Sequence, residues 1–177
     1  MRKINTIYLH CSATRPDQDI SAADIKRWHV KGNRWSDIGY HAVIDLAGTL
    51  EHGRPIAKQG AGVKGQNANS VHVCYVGGLD SDGNPANTMN AAQIRQLHIY
   101  CAALVVTLGP LKLKGHNDAP GVIKACPAFD VTTEFPELVK WCQTPDESFP
   151  FMEQKQRQPE AVEPAQHCRR CNRRVRR

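Results

Sequence analysis

Two histidines and a cysteine, His10, His116 and Cys126, stand far apart in the chain at places where folding can bring side chains together. His10 ends the stretch Ile4 to His10, which reads as a buried strand. His116 follows a short segment, Leu111 to Gly115, and Cys126 lies in Lys124-Ala-Cys-Pro127. A catalytic zinc takes about three ligands of these types and keeps a further position for water. The chain has eight histidines, and two can fall at strand ends by chance, so spacing alone leaves a metal site and an accidental grouping both open.

Lys124 adds a local argument. Pro127 steers Cys126 towards extended backbone. If Ala125 is extended too, Lys124 and Cys126 project to one side. An ammonium would then stand beside a zinc thiolate, where the oxyanion of amide hydrolysis would develop. The plainer reading of the same residues is a solvated lysine next to a buried thiol.

The elements that must position these groups follow from hydrophobic periodicity. Ser21-Ala-Ala-Asp24 resembles a capping box, and the helix after it carries Ile25, Trp28 and His29 on one face before Gly32 and Asn33 end it. Tyr40 to Asp45 reads as a strand, Asp45 to Gly48 as a turn, and Thr49 to His52 as a returning strand. Residues 57–69 are rich in Gly, Asn and Gln and read as a loop. Val71, Val73 and Tyr75 alternate as in a strand. The clearest helix starts near Asn90, with Ile94, Leu97, His98, Cys101, Leu104, Val105 and Leu108 on its stripe and Gly109-Pro110 as its stop. A last helix is predicted around Glu134 to Cys142. Strands interleaved with helices predict an α/β domain over residues 1–144, one sheet with helices packed on it.

Residues 145–177 differ in composition. They are polar, proline-bearing and charged, and such a segment cannot bury enough surface to offset ordering entropy, so a disordered tail is expected. The chain carries 23 basic and 17 acidic residues, and six arginines fall within 169–177; without them the two signs balance. The basic character thus belongs to the tail, which argues against a nucleic-acid-binding fold. The longest apolar run, Cys101 to Val106, is far too short to cross a bilayer. The N-terminus leads into no sustained apolar stretch, so no signal peptide is expected. Seven cysteines without framework spacing fit a reducing compartment, and Cys11, Cys74, Cys101 and Cys142 read as buried thiols. His167-Cys168-Arg-Arg-Cys171 is half of a zinc motif without a second half.

Four stretches taken together, His10-Cys-Ser-Ala-Thr14, Trp28-His29, Trp35-Ser-Asp-Ile-Gly-Tyr-His41 and Lys124-Ala-Cys-Pro-Ala-Phe-Asp130, resemble the lysozymes of T-odd coliphages. Those proteins are N-acetylmuramoyl-L-alanine amidases of the peptidoglycan recognition protein and type 2 amidase superfamily. The resemblance runs in order from about Ile4 to Trp141 and includes Gly65 to Ser70 and Val76-Gly-Gly78. It implies a mixed central sheet flanked by helices, one Zn²⁺ on His10, His116 and Cys126, and catalytic roles for Tyr40 and Lys124. In that reading Lys124 stabilises the oxyanion and Tyr40 assists proton transfer, while Asn67, Asn69, Ser70 and His72 line the groove and meet the peptide. His72 stands where a small residue is usual, so crowding of the site is the other expectation for it.

The implied activity is hydrolysis of the bond between N-acetylmuramic acid and L-alanine, by a monomeric phage endolysin held in the host cytoplasm until a separate protein releases it to the wall. Peptidoglycan is the expected partner. The arginine-rich tail suggests an anionic envelope surface. Two rivals share the fold: a non-catalytic peptidoglycan-binding protein, which a missing ligand would signal, and a regulator of a phage RNA polymerase, which some T-odd lysozymes also are. A wall-recycling amidase would use a carboxylate in place of Cys126. A muramidase needs two placed carboxylates, and Glu51 has no evident partner.

Overall fold

A computed structural model describes residues 2–147. The tail expected over 145–177, apart from its first three residues, lies outside the described residues, as does the Cys168/Cys171 pair.

Five strands form one sheet: β1 (Thr6–Cys11), β2 (Ala42–Ile44), β3 (Leu50–His52), β4 (Ser70–Tyr75) and β5 (Lys112–Gly115). Their order is β3-β2-β4-β1-β5. The pairings β1–β4, β1–β5 and β2–β4 are parallel, and β2–β3 is the one antiparallel hairpin, so the sheet is mixed as expected. The parallel strands need long crossovers. One of these contains α2 (Ala91–Leu108), and another contains α1 (Ala22–Arg27).

Successive side chains in a strand point to opposite faces. Ile7, Leu9, Val71, Val73 and Tyr75 join Leu97, Cys101, Leu104, Leu138 and Trp141 in the main core, which places α2 and α4 (Pro136–Gln143) on one face of the sheet. On the other face Ile25 of α1 packs with Val43 and Cys74, and Tyr8 packs with Val63 and Ala119. β4 is buried along its whole length. The alternation seen in its sequence therefore marks two covered faces, with no solvent-facing side.

The predicted cap of α1 is present, and α2 has one that was not predicted. Ser21 and Asp24 form a reciprocal capping box, and Asn90 and Gln93 form another. The carboxylate of Glu51 also accepts the Ala22 N–H, so Glu51 serves the start of α1. Gly109 ends α2 at φ +86°, a left-handed value that favours glycine. By length and composition α2 would suit a membrane span, but its Leu97, Tyr100, Cys101, Leu104 and Val105 are packed in the core.

Three local expectations are corrected. The strand predicted from Tyr40 is confined to Ala42–Ile44, with Tyr40 in the loop before it. The last helix is two, α3 (Val131–Glu134) and α4, with Pro136 in the first turn of the second. After α1 the chain widens into a π-helical segment, Trp28–Gly32, closed by the Asn33 N–H donating to the Trp28 carbonyl at 3.3 Å. That shift leaves Trp28 exposed (41%) and turns His29 inwards, half-buried.

Candidate active site

His10 lies near the end of β1, between β4 and β5, and is completely buried. His116 opens a short 3₁₀ turn (His116–Asp118) directly after β5. Cys126 belongs to the loop that follows, held by the Asn117 N–H donating to the Cys126 carbonyl at 2.8 Å and by the Tyr75 hydroxyl donating to Pro127 O at 2.7 Å. The parallel arrangement of β1 and β5 is what brings residue 10 beside residue 116.

The donor atoms converge. His10 Nδ1 lies 3.2 Å from His116 Nδ1 and 3.8 Å from Cys126 Sγ. All three donors fall within 4.8 Å of one another, and among the described residues no other set of three metal-binding side chains does so. Tetrahedral zinc with ordinary bond lengths would hold two nitrogens about 3.3 Å apart and a nitrogen and a sulfur about 3.6 Å apart. The donor set and its spacing therefore fit zinc. The Cys11 N–H also donates to Cys126 Sγ at 3.3 Å, which supports negative charge on that sulfur.

The electrostatics favour neutral imidazoles. Burial, followed by the charges of His72, His116, Lys124 and His29, holds His10 well below the ordinary histidine range. Burial and then Lys124 lower His116. The hydrogen bond with Cys11 and burial raise the Cys126 thiol; a divalent cation reverses that logic, because a coordinated thiol loses its proton.

His116 and Lys124 line a groove of about 720 Å³, together with Trp35, Lys64, Asn67 and Ile123. Ile123 is fully exposed and Trp35 is 37% exposed, so the groove carries apolar surface beside its charge. Tyr40 stacks at a tilt on His10, ring centroids 4.9 Å apart. Burial raises the Tyr40 phenol well above its ordinary value, so it remains an O–H donor.

Not every residue expected on the groove wall is there. Asn67 is, with its Oδ1 accepting from the Gly62 and Val63 amides at 3.0 and 2.9 Å. Asn69 is exposed, donates to Lys3 O at 2.9 Å and is not among the lining residues. Ser70 and His72 are 1% and 0% exposed and lie behind the wall, because both flanking strands and the 57–69 loop cover β4. His52 is exposed on β3, at the sheet edge opposite β5.

His29 packs against the Tyr40 segment, a placement that periodicity did not mark. Its Nδ1 accepts the Gly39 N–H at 3.0 Å, and its ring meets Tyr40 at 5.2 Å and Trp35 at 4.7 Å. The signal was present only as Trp28-His29 in the resemblance; the π-helical shift that aims the ring has no signature in periodicity.

Residues 1–129 match the family described as N-acetylmuramoyl-L-alanine amidase. The chain is 41% identical over 131 residues to the endolysin of Klebsiella phage KP32, covering 73% of this chain and 84% of that protein. Among solved structures it is similar to the Ph2119 endolysin from Thermus scotoductus MAT2119 bacteriophage Ph2119, with a TM-score of 0.61, 27% identity and coverage of 72% and 79% of the two chains. Drosophila PGRP-LB shares the fold, with a TM-score of 0.64, 19% identity and coverage of 77% and 82%. The sequence match over most of the chain and the shared sheet architecture place this protein in the N-acetylmuramoyl-L-alanine amidase family.

Proposed function

We propose that the chain is a zinc-dependent endolysin that hydrolyses the amide between N-acetylmuramic acid and the L-alanine of the stem peptide, with His10, His116 and Cys126 as the metal ligands. The observation that carries this reading is the convergence of these three donors beside a groove open to a polymeric substrate. Zinc, when bound, supplies Lewis acidity that polarises the scissile carbonyl and acidifies water.

The chain's own residues do the rest. Lys124 lines the groove with His116 and offers a cation to the oxygen of the attacked carbonyl as it gains negative charge. Tyr40, protonated and packed on His10, donates a hydrogen bond at the reacting centre and assists transfer of the proton that the attacking water loses to the leaving nitrogen, ending protonated as it began. Asn67 has its Oδ1 committed to two backbone amides, so its amide nitrogen is the group that meets the stem peptide. Trp35 and Ile123 give apolar contact along the same groove.

The phage endolysins among its relatives support a role in host lysis. Metal analysis of the purified protein, paired with mass spectrometry of digested peptidoglycan, tests the proposal. The expected result is stoichiometric zinc and new stem peptides beginning with free L-alanine. New reducing sugar ends in place of those peptides would overturn it.

A further inference from the structure

The far side of His10 is as constrained as the side that faces the other ligands. Its Nε2 lies 3.1 Å from Nδ1 of His72. Nε2 of His72 lies 3.0 Å from the Ser70 hydroxyl, and Ser70 Oγ donates to the Gln66 carbonyl at 2.8 Å. His10, His72 and Ser70 are all essentially inaccessible to solvent.

The direction of each bond in this chain follows from its last member. A carbonyl only accepts, so the Ser70 proton points to Gln66 and its oxygen accepts from His72 Nε2–H. Neutral His72 then has a bare Nδ1, which accepts from His10 Nε2–H. Neutral His10 is left with its lone pair on Nδ1, the atom that faces His116 and Cys126. Four groups in series thus fix one tautomer of one ring.

The plane of His72 is fixed as well. Tyr8 stacks on one side at 5.8 Å and 12°, and His41 at 5.7 Å and 16°. The His72 backbone N–H donates to His41 Nδ1 at 2.9 Å. The 57–69 loop passes directly over the ring, and it can do so only with glycine. A Cβ at Gly60 would meet His72 Cδ2 at 2.5 Å, and one at Gly62 would meet His72 Nδ1 at 2.4 Å and His10 Nε2 at 2.9 Å.

We propose that His72 is a positioning residue for the metal centre: it accepts a hydrogen bond from the far N–H of His10 and so presents Nδ1 to the cation. This rests on the reading of His10, His116 and Cys126 as zinc ligands. Groups hydrogen-bonded behind a metal-bound histidine commonly set affinity by about 10- to 100-fold. Here the acceptor is a neutral imidazole in place of a carboxylate, so the support adds no negative charge to the site.

The test measures zinc affinity of the full chain by competition with a chromophoric chelator. His72→Ala should weaken zinc by about 10- to 100-fold. His72→Asn, whose Oδ1 can occupy the acceptor position, should recover most of that loss. In the zinc-loaded wild type, nitrogen NMR should show His72 protonated at Nε2 and bare at Nδ1. Circular dichroism establishes which variants fold, and the tautomer measurement needs no variant. Wild-type protein that binds no zinc defeats the ligand assignment itself. Tight zinc in wild type, lost in His10→Ala but unchanged in His72→Ala, overturns only the role given to His72, as does a proton found on its Nδ1.

Discussion

The Tyr40 ring lies 4.9 Å from that of His10, tilted by 39°, so a phenol packs directly on an expected zinc ligand. Tyr40→Phe keeps that packing and removes only the hydroxyl. Turnover on purified peptidoglycan should fall by about 10²-fold or more, with zinc content unchanged. Loss of metal in this variant would show that Tyr40 is structural.

Lys124 should also separate catalysis from metal binding. Its charge disfavours positive charge at both His10 and His116. Lys124→Ala should lower kcat by about 10²- to 10³-fold while zinc binds as tightly as in wild type or more tightly. Competition against a chelator, run beside the activity assay, measures both; weaker zinc would contradict the role assigned here.

His29 holds the Tyr40 loop through the Gly39 amide, and Gly39 is buried. His29→Ala leaves that donor without a partner, at a cost of about 1–3 kcal/mol. Urea unfolding should report the loss, and kcat should fall with little change in zinc affinity. Unchanged turnover would remove His29 from the positioning of Tyr40.

Acid should destabilise the zinc-free protein. Burial lowers His41 to about 4, against about 6.5 in an unfolded chain. Between those values the unfolded state binds more protons, so stability is full above about 6.5 and declines as pH falls, levelling off near 4. Each pH unit in the window costs about 1.4 kcal/mol for this ring. Burial lowers His98 too, in the same direction. Urea midpoints at pH 7 and pH 5 should differ accordingly, and equal midpoints would refute the effect.

A truncation ending at Glu147 should retain activity on purified peptidoglycan and lose activity on whole cells, where the six tail arginines would meet an anionic surface. The cut belongs there because Trp141 Nε1 donates to Asp146 O at 3.2 Å. Equal loss on both substrates would contradict an envelope-targeting tail.

Strand ends mark His10 and His116 as candidates, but the ligand set with Cys126 was legible only through the resemblance to the T-odd lysozymes. His10 ends one apolar run and His116 follows another, and two parallel neighbours bring their ends together. The place of His72 was not legible. Val71-His-Val-Cys-Tyr75 reads as a strand with one wet face, and only a loop folded over that face makes His72 a buried partner. Tyr40 was assigned to a strand because the segment is apolar up to Ile44. Ladder pairing with β3 and β4 begins only at Ala42, so Tyr40 stays in the loop before it, where its carbonyl accepts from the Arg54 N–H at 2.8 Å. The π-helical shift at Trp28 depends on tertiary contacts of His29 and has no local code.

Cys126 and His10 are separated by 116 positions in the chain. An ion gripping both would act as a removable cross-link that closes nearly the whole domain into a single ring. The ion clamps only the folded chain, so the native state gains stability in proportion to the logarithm of free metal. Chelation would therefore slacken the scaffold as a whole, and thermal resistance would track zinc supply even in a variant that cannot turn over substrate.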